Sequence, residues 1–66
     1  MEMIDQLNAG KTKAFAKHCF ESHSKDELEA AVEGGANQAE MEHWGISQGE
    51  WEEAVAAALA DLQSKG

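Results

Sequence analysis

An all-α fold is predicted by three features of the 66-residue sequence. Apolar residues recur at spacings of three and four, which is typical of the buried face of a helix. No segment alternates apolar and polar residues for long enough to indicate a strand. Glycines and helix-capping residues divide the chain into short segments. We therefore predict a compact bundle of four or five short helices with a long C-terminal helix, forming one domain over residues 1–66.

The N-terminal region contains a short apolar patch followed by a longer helix. A stop or kink is expected at residues 8–10, where Asn, Ala and Gly interrupt the apolar pattern. The helix resumes over residues 11–22, because Phe15 and Cys19 lie four residues apart on one face. The apolar patch before the stop consists of Met3, Ile4 and Leu7.

The next helix is predicted from a capping box. Ser24 and Glu27 form the S-x-x-E pattern, in which each side chain accepts a hydrogen bond from the other residue's backbone N–H. Gly34 and Gly35 are expected to end this helix in a left-handed conformation. Its apolar stripe consists of Leu28, Ala31 and Val32.

Two further helices follow around a glycine turn. Asn37 is expected to cap a short helix that ends at Gly45. Ser47 and Glu50 repeat the capping box and begin the longest helix, which extends to about Ser64. The apolar face of this last helix is predicted to contain Trp51, Val55, Ala58 or Leu59, and Leu62.

The apolar stripes together predict a small core. A core of this size gives a marginally stable monomer, so self-association or a partner is expected to contribute to stability. Alanines make the last helix narrow, which favours the close approach of a second helix and hence a homodimer. These alanines are Ala54, Ala56, Ala57, Ala58 and Ala60. The predicted core is Ile4, Leu7, Phe15, Cys19, Phe20, Leu28, Val32, Met41, Trp44, Ile46, Trp51, Val55, Leu59 and Leu62.

The net charge of −8 is distributed unevenly along the chain. Residues 1–25 hold four lysines and three acids, whereas residues 26–66 hold ten acids and one lysine. This charge opposes binding to nucleic acid and to anionic membranes, because both depend on Lys and Arg. No apolar run approaches a membrane span of about 20 residues, and the first 25 residues lack a signal-peptide stretch. We therefore expect a cytoplasmic protein.

The segment 37–55 resembles the helix-turn-helix unit of DNA-binding proteins. The positions that carry the resemblance are Met41, Gly45, Ile46, Ser47 and Trp51, although Met41 stands where a small residue is usual. The resemblance implies a turn between two packed helices. Recognition helices of this family read the major groove with Arg, Lys, Asn or Gln, whereas the solvent positions here are Gln48, Glu50, Glu52 and Glu53. We therefore expect no direct nucleic-acid binding.

The residues that could act in catalysis or bind a metal form no recognisable motif for either. Cys19 and His23 lie four residues apart on a helix, and His43 or a nearby glutamate is the candidate third ligand of a zinc site. The same Cys19 is required by the apolar stripe beside Phe15, and a free cysteine often behaves as a small buried apolar residue. No metal, cofactor or enzymatic activity is therefore predicted.

The remaining hypothesis is a non-enzymatic protein-interaction module that binds a larger, basic protein. In size and charge the chain resembles small phage or mobile-element inhibitors, including DNA mimics, and antitoxins that neutralise basic toxins. The predicted binding surface consists of Glu40, Glu42, Glu50, Glu52, Glu53 and Asp61. The alternatives are a structural subunit held in an assembly by apolar helix faces and a small metal-binding regulatory domain.

Overall fold

The computed structural model describes residues 2–7 and 10–65, with the side chains of all of these except Glu2 and Lys65. The described residues form five α-helices and contain no β-strand, which confirms the predicted all-α fold. Two residues of the predicted stop, Asn8 and Ala9, lie outside the described residues. The helices are α1 (Glu2–Asp5), α2 (Lys11–Ser22), α3 (Lys25–Gly34), α4 (Gln38–Trp44) and α5 (Gln48–Lys65).

The long helix α5 is the centre of the bundle. Its backbone lies close to those of α1, α2 and α3, and α2 is its most extensive neighbour. Ala54 and Ala58 are fully buried, and their small side chains allow neighbouring helices to approach α5 closely. Trp51 and Phe15 are the largest fully buried side chains. Ala54, Ala57 and Ala58 thus pack within the chain, whereas Ala56 is exposed, and the homodimer through α5 stays a prediction.

The predicted helix caps are confirmed. Ser24 Oγ accepts from the Glu27 amide at 3.3 Å, and Glu27 Oε1 accepts from the Ser24 amide at 3.1 Å. Ser47 and Glu50 make the same reciprocal pair at 3.2 and 2.9 Å. Asn37 Oδ1 caps α4 by accepting from an amide of its first turn at 3.1 Å. These hydrogen bonds satisfy amide groups that have no partner inside their helices.

Helix α4 ends at Gly45, as predicted, and the turn there is left-handed. Gly45 has φ 65° and ψ 41°, and the Ile46 amide donates to the Met41 carbonyl at 3.0 Å. A Cβ atom at Gly45 would lie 2.9 Å from Lys11 Nζ, so the flexible lysine side chain would have to move aside. The end of α3 differs from the prediction, because Gly35 combines φ 88° with an extended ψ of 176°.

The likeness to a helix-turn-helix unit is limited to the local turn. α4 is held by side-chain contacts and is not among the helices whose backbones pack closely against α5. The Trp44 ring lies 5.4 Å from Phe15 and 5.4 Å from His18, both on α2. The helices on either side of the turn therefore touch through side chains, and Trp44 also attaches α4 to α2.

The predicted core is largely confirmed, with one clear exception. Val32 is 50% exposed, although it lies one turn after the buried Leu28 on the same face of α3. It stands near the end of α3, where an open groove separates this helix from α5. Half-buried members of the predicted core pack around its buried centre: Leu7, Phe20, Met41, Trp44, Leu59 and Leu62.

Candidate partner-binding surface

The six carboxylates predicted to form a binding surface occupy three different environments. Asp61 is buried, Glu40 is half-buried, and the other four are exposed. The exposed residues of α5 point outward because the intervening positions, occupied by Trp51, Ala54 and Val55, face the core. The helix period therefore separates the carboxylates that a partner can reach from those that stabilise the fold.

Asp61 is buried and makes hydrogen bonds that hold the fold together. It is only 4% exposed, and its Oδ1 and Oδ2 accept from the backbone amides of Met3 at 2.8 Å and Ile4 at 2.9 Å. These two amides belong to the first turn of α1, where no carbonyl inside the helix can accept from them. The expectation that Asp61 lies on the exposed acidic surface is therefore wrong, because the residue joins α1 to α5.

Glu40 and Glu50 are also engaged within the chain. The Trp51 indole Nε1 donates to Glu40 Oε1 at 3.5 Å, which connects α4 to α5. Glu50 accepts from the Thr12 hydroxyl at 2.9 Å in addition to its role in the capping box. Hydrogen bonds from the Ser47 backbone and from Thr12 lower the pKa of Glu50 below its ordinary value of 4.5.

Glu42, Glu52 and Glu53 are the predicted residues that remain available to a partner. All three are exposed, and none makes a hydrogen bond or ion pair with another side chain that the structure describes. Within this same part of the chain, the only contact within 4 Å between a basic side chain and a carboxylate joins His23 and Glu27, at 3.4 Å. The four lysines whose side chains the structure describes, Lys11, Lys13, Lys17 and Lys25, therefore form no direct pairs with the acidic surface.

Two apolar grooves border Glu52 and Glu53, and sequence reasoning missed both. One lies between α3 and α5 and is lined by Val32, Ala36, Ala56 and Glu52, among others. The other lies between α1 and α5, with Met3 and Leu7 on one side and Ala56 and Glu53 on the other. Met3 is 45% exposed. The helix pattern could place these side chains on apolar faces, but it could not show that the docked helices leave them uncovered.

The structure does not bring the candidate zinc ligands Cys19, His23 and His43 together. Cys19 is 2% exposed, and burial, with a smaller contribution from the charge of Glu40, raises the pKa of its thiol to about 12. Cys19 and His23 line one groove, whereas the His43 ring lies against Trp44 at 5.9 Å and lines another. Among the described residues, no three His, Cys, Asp or Glu side chains are placed to hold a metal ion. The Cys19 thiol instead occupies an apolar core position, as the stripe beside Phe15 had indicated.

Comparisons with known proteins give no assignment. No protein-family model, curated protein or solved structure matches the chain. In the part of the chain that the structure describes, none of the helices has the length and apolar character required to cross a bilayer.

Proposed function

We propose that this protein is a non-enzymatic interaction module whose acidic surface binds a larger, basic protein. The observation that carries the proposal is the exposure of Glu42, Glu52 and Glu53 without a described partner for any of them. A surface of uncompensated negative charge accelerates association with a positively charged partner and weakens association with acidic ones.

The partner that best fits such a surface is a nucleic-acid-binding protein or a basic toxin. Carboxylates that occupy its cationic site would compete with phosphate groups, so the expected consequence of binding is inhibition. This proposal places the protein in the cytoplasm, where such partners act, and requires no metal or cofactor. The grooves beside α5 have volumes of about 280 and 310 Å³. These volumes lie at or below the lower end of the range for small-molecule sites, which favours protein recognition over catalysis.

The proposal is tested by capture from a native cell lysate at low and high salt. Immobilised wild-type protein is compared with the Glu52→Gln/Glu53→Gln double variant. The matched control is Glu29→Gln/Glu33→Gln, which removes the same charge from exposed positions on α3. We expect a partner that is retained at low salt, released at high salt and lost in the α5 variant only. Equal capture by both variants would remove the α5 carboxylates from the binding surface.

A structural subunit of a larger assembly is the second candidate function. It is favoured by the exposure of Met3 at 45% and Val32 at 50%, since large exposed apolar side chains often mark contacts between proteins. An assembly held by these residues should persist at high salt, because apolar contacts are not screened. Salt dependence of the captured complex therefore separates the two candidates.

A further inference from the structure

The surface of α5 between α1 and α3 has the form of a ridge between two grooves. Ala56 lines both grooves, so it marks the point at which they come closest together. Glu52 and Glu53 precede it by one turn and each lines one of the grooves. Positions three and four residues apart share a helix face, so the ridge presents one small residue next to two carboxylates.

The two grooves are apolar and remain uncovered by the described chain. Val32 is 50% exposed in the groove beside α3, and Met3 is 45% exposed in the groove beside α1. They are the two large apolar side chains that the described part of the chain leaves exposed, and they lie on opposite sides of the same ridge. Their placement provides two apolar sites that a single partner element can reach across Ala56.

The charge of this surface selects the partner. Glu52 and Glu53 form the acidic part of the grooves, and no lysine or histidine among the described residues lines either of them. A ligand that fills the grooves with apolar side chains must therefore bring positive charge beside them. A small residue at the centre of the ridge allows close approach of a helix backbone, with its side chains entering the adjacent grooves.

A second copy of this chain does not satisfy these requirements on the same face. A twofold contact would place this surface against itself, so each molecule would bring its own Glu52 and Glu53 to grooves that already hold two carboxylates. Like charges brought together at an interface are unfavourable. The predicted homodimer through α5 would thus meet repulsion at Ala56, and Ala54, Ala57 and Ala58 are already buried within the chain.

We infer that this surface docks an amphipathic, basic helix of the partner, which crosses α5 over Ala56. Its apolar side chains enter the grooves that contain Val32 and Met3, and flanking Lys or Arg side chains pair with Glu52 and Glu53. The inference rests on the proposed function and specifies the partner's structural element and its contact site. Recognition of a helix through apolar anchors at spacings of three and four is a common mode of binding.

The test uses two synthetic peptides of leucine and lysine with identical composition. In one, the leucines follow the helical spacing of i, i+3, i+4 and i+7; in the other, the order is scrambled. Binding to the isotope-labelled full chain is followed by amide chemical shifts and by the dissociation constant. The Ala56→Gln variant adds bulk on the ridge without changing charge, and Ala14→Gln is the control at an exposed position of α2.

We expect the amphipathic peptide to bind more tightly than the scrambled one and to shift amides near Val32, Ala56 and Met3. Ala56→Gln should weaken binding by about tenfold or more, whereas Ala14→Gln should leave it unchanged. Equal binding of both peptides, shifts on another face or an unaffected Ala56→Gln variant would overturn the inference. Concentration-dependent dimerisation through the same amides would also overturn it, in favour of a second copy. The lysate result decides the proposed function separately, because charge-driven capture requires no helical docking site.

Discussion

The two ends of α5 use the same chemical group for opposite purposes. Near its beginning, Glu52 and Glu53 are exposed and have no partner among the described side chains. Near its end, Asp61 is 4% exposed and accepts two backbone hydrogen bonds from α1. The difference arises from what packs on each end, because both sets are carboxylates on one continuous helix. Negative charge in a sequence therefore does not by itself indicate a binding surface.

The role of Asp61 follows from the shortness of α1. A helix of four residues is unstable in isolation, because helix nucleation costs more than a few hydrogen bonds recover. A carboxylate at its N-terminus accepts from amides that lack partners and also interacts favourably with the helix dipole. Burial of Ile4 against the core completes the attachment.

The largest effect is expected from Asp61→Ala. The substitution leaves one buried and one part-buried amide without acceptors, and losses of this kind sum to about 3 kcal/mol. A chain of this length has a total stability of roughly 3 to 10 kcal/mol, so the loss is a large part of the whole. Urea unfolding followed by circular dichroism measures it, with Glu53→Ala as the control on the exposed end of α5.

Glu53→Ala should change the free energy of unfolding by no more than about 0.5 kcal/mol. Asp61→Asn should lie between the two, since the amide side chain keeps one acceptor oxygen and loses the charge. If Asp61→Ala unfolds at the same urea concentration as Glu53→Ala, the two ends of α5 do not differ as we describe.

A smaller loss is expected when the cap at the beginning of α5 is removed. Ser47→Ala deletes the oxygen that accepts from the Glu50 amide and should cost about 1 kcal/mol. Ser24→Ala removes the equivalent cap from α3 and serves as the matched variant. Thermal unfolding should show a reduced midpoint for both variants. An unchanged midpoint for Ser47→Ala would mean that packing alone holds the acidic end of α5.

The parts of this structure that were predictable from sequence depend on local interactions. Ser24, Asn37 and Ser47 each act on residues three positions later, so a short motif is sufficient to define a helix start. The contacts of Asp61 and the exposure of Val32 depend on how distant helices dock. Asp61 meets amides that lie 57 and 58 residues away in the chain. No helical periodicity contains this information, which explains why Asp61 was assigned to the wrong surface.

The capping carboxylates are expected to make the stability of the fold depend on pH in the acid range. Backbone hydrogen bonds lower the pKa of Glu27 and Glu50 below the ordinary value of 4.5. A carboxyl group with a lowered pKa in the folded state stabilises that state above its unfolded pKa. This contribution is lost as the pH falls through the folded pKa, so stability should decrease below about pH 4.5.

The measurement is the urea midpoint as a function of pH. The Glu27→Gln/Glu50→Gln variant should show a shallower decrease than wild type on the acid side, since the groups with lowered pKa are absent. The control is Glu52→Gln/Glu53→Gln, which removes the same number of charges. It should retain the wild-type dependence of the urea midpoint on pH on the acid side. Identical slopes in all three proteins would show that other carboxyl groups control the acid response.

The smallest effect on stability is expected at the exposed end of α5, where Glu52→Gln/Glu53→Gln should change the free energy of unfolding by less than about 0.5 kcal/mol. Neither side chain has a hydrogen bond or ion pair to lose among the described residues. Urea unfolding at low and high salt provides the measurement. A loss comparable to that of Asp61→Ala would mean that these carboxylates support the fold. A negligible change in the free energy of unfolding means that Glu52 and Glu53 are not needed for stability. Their charge is then available for binding a partner.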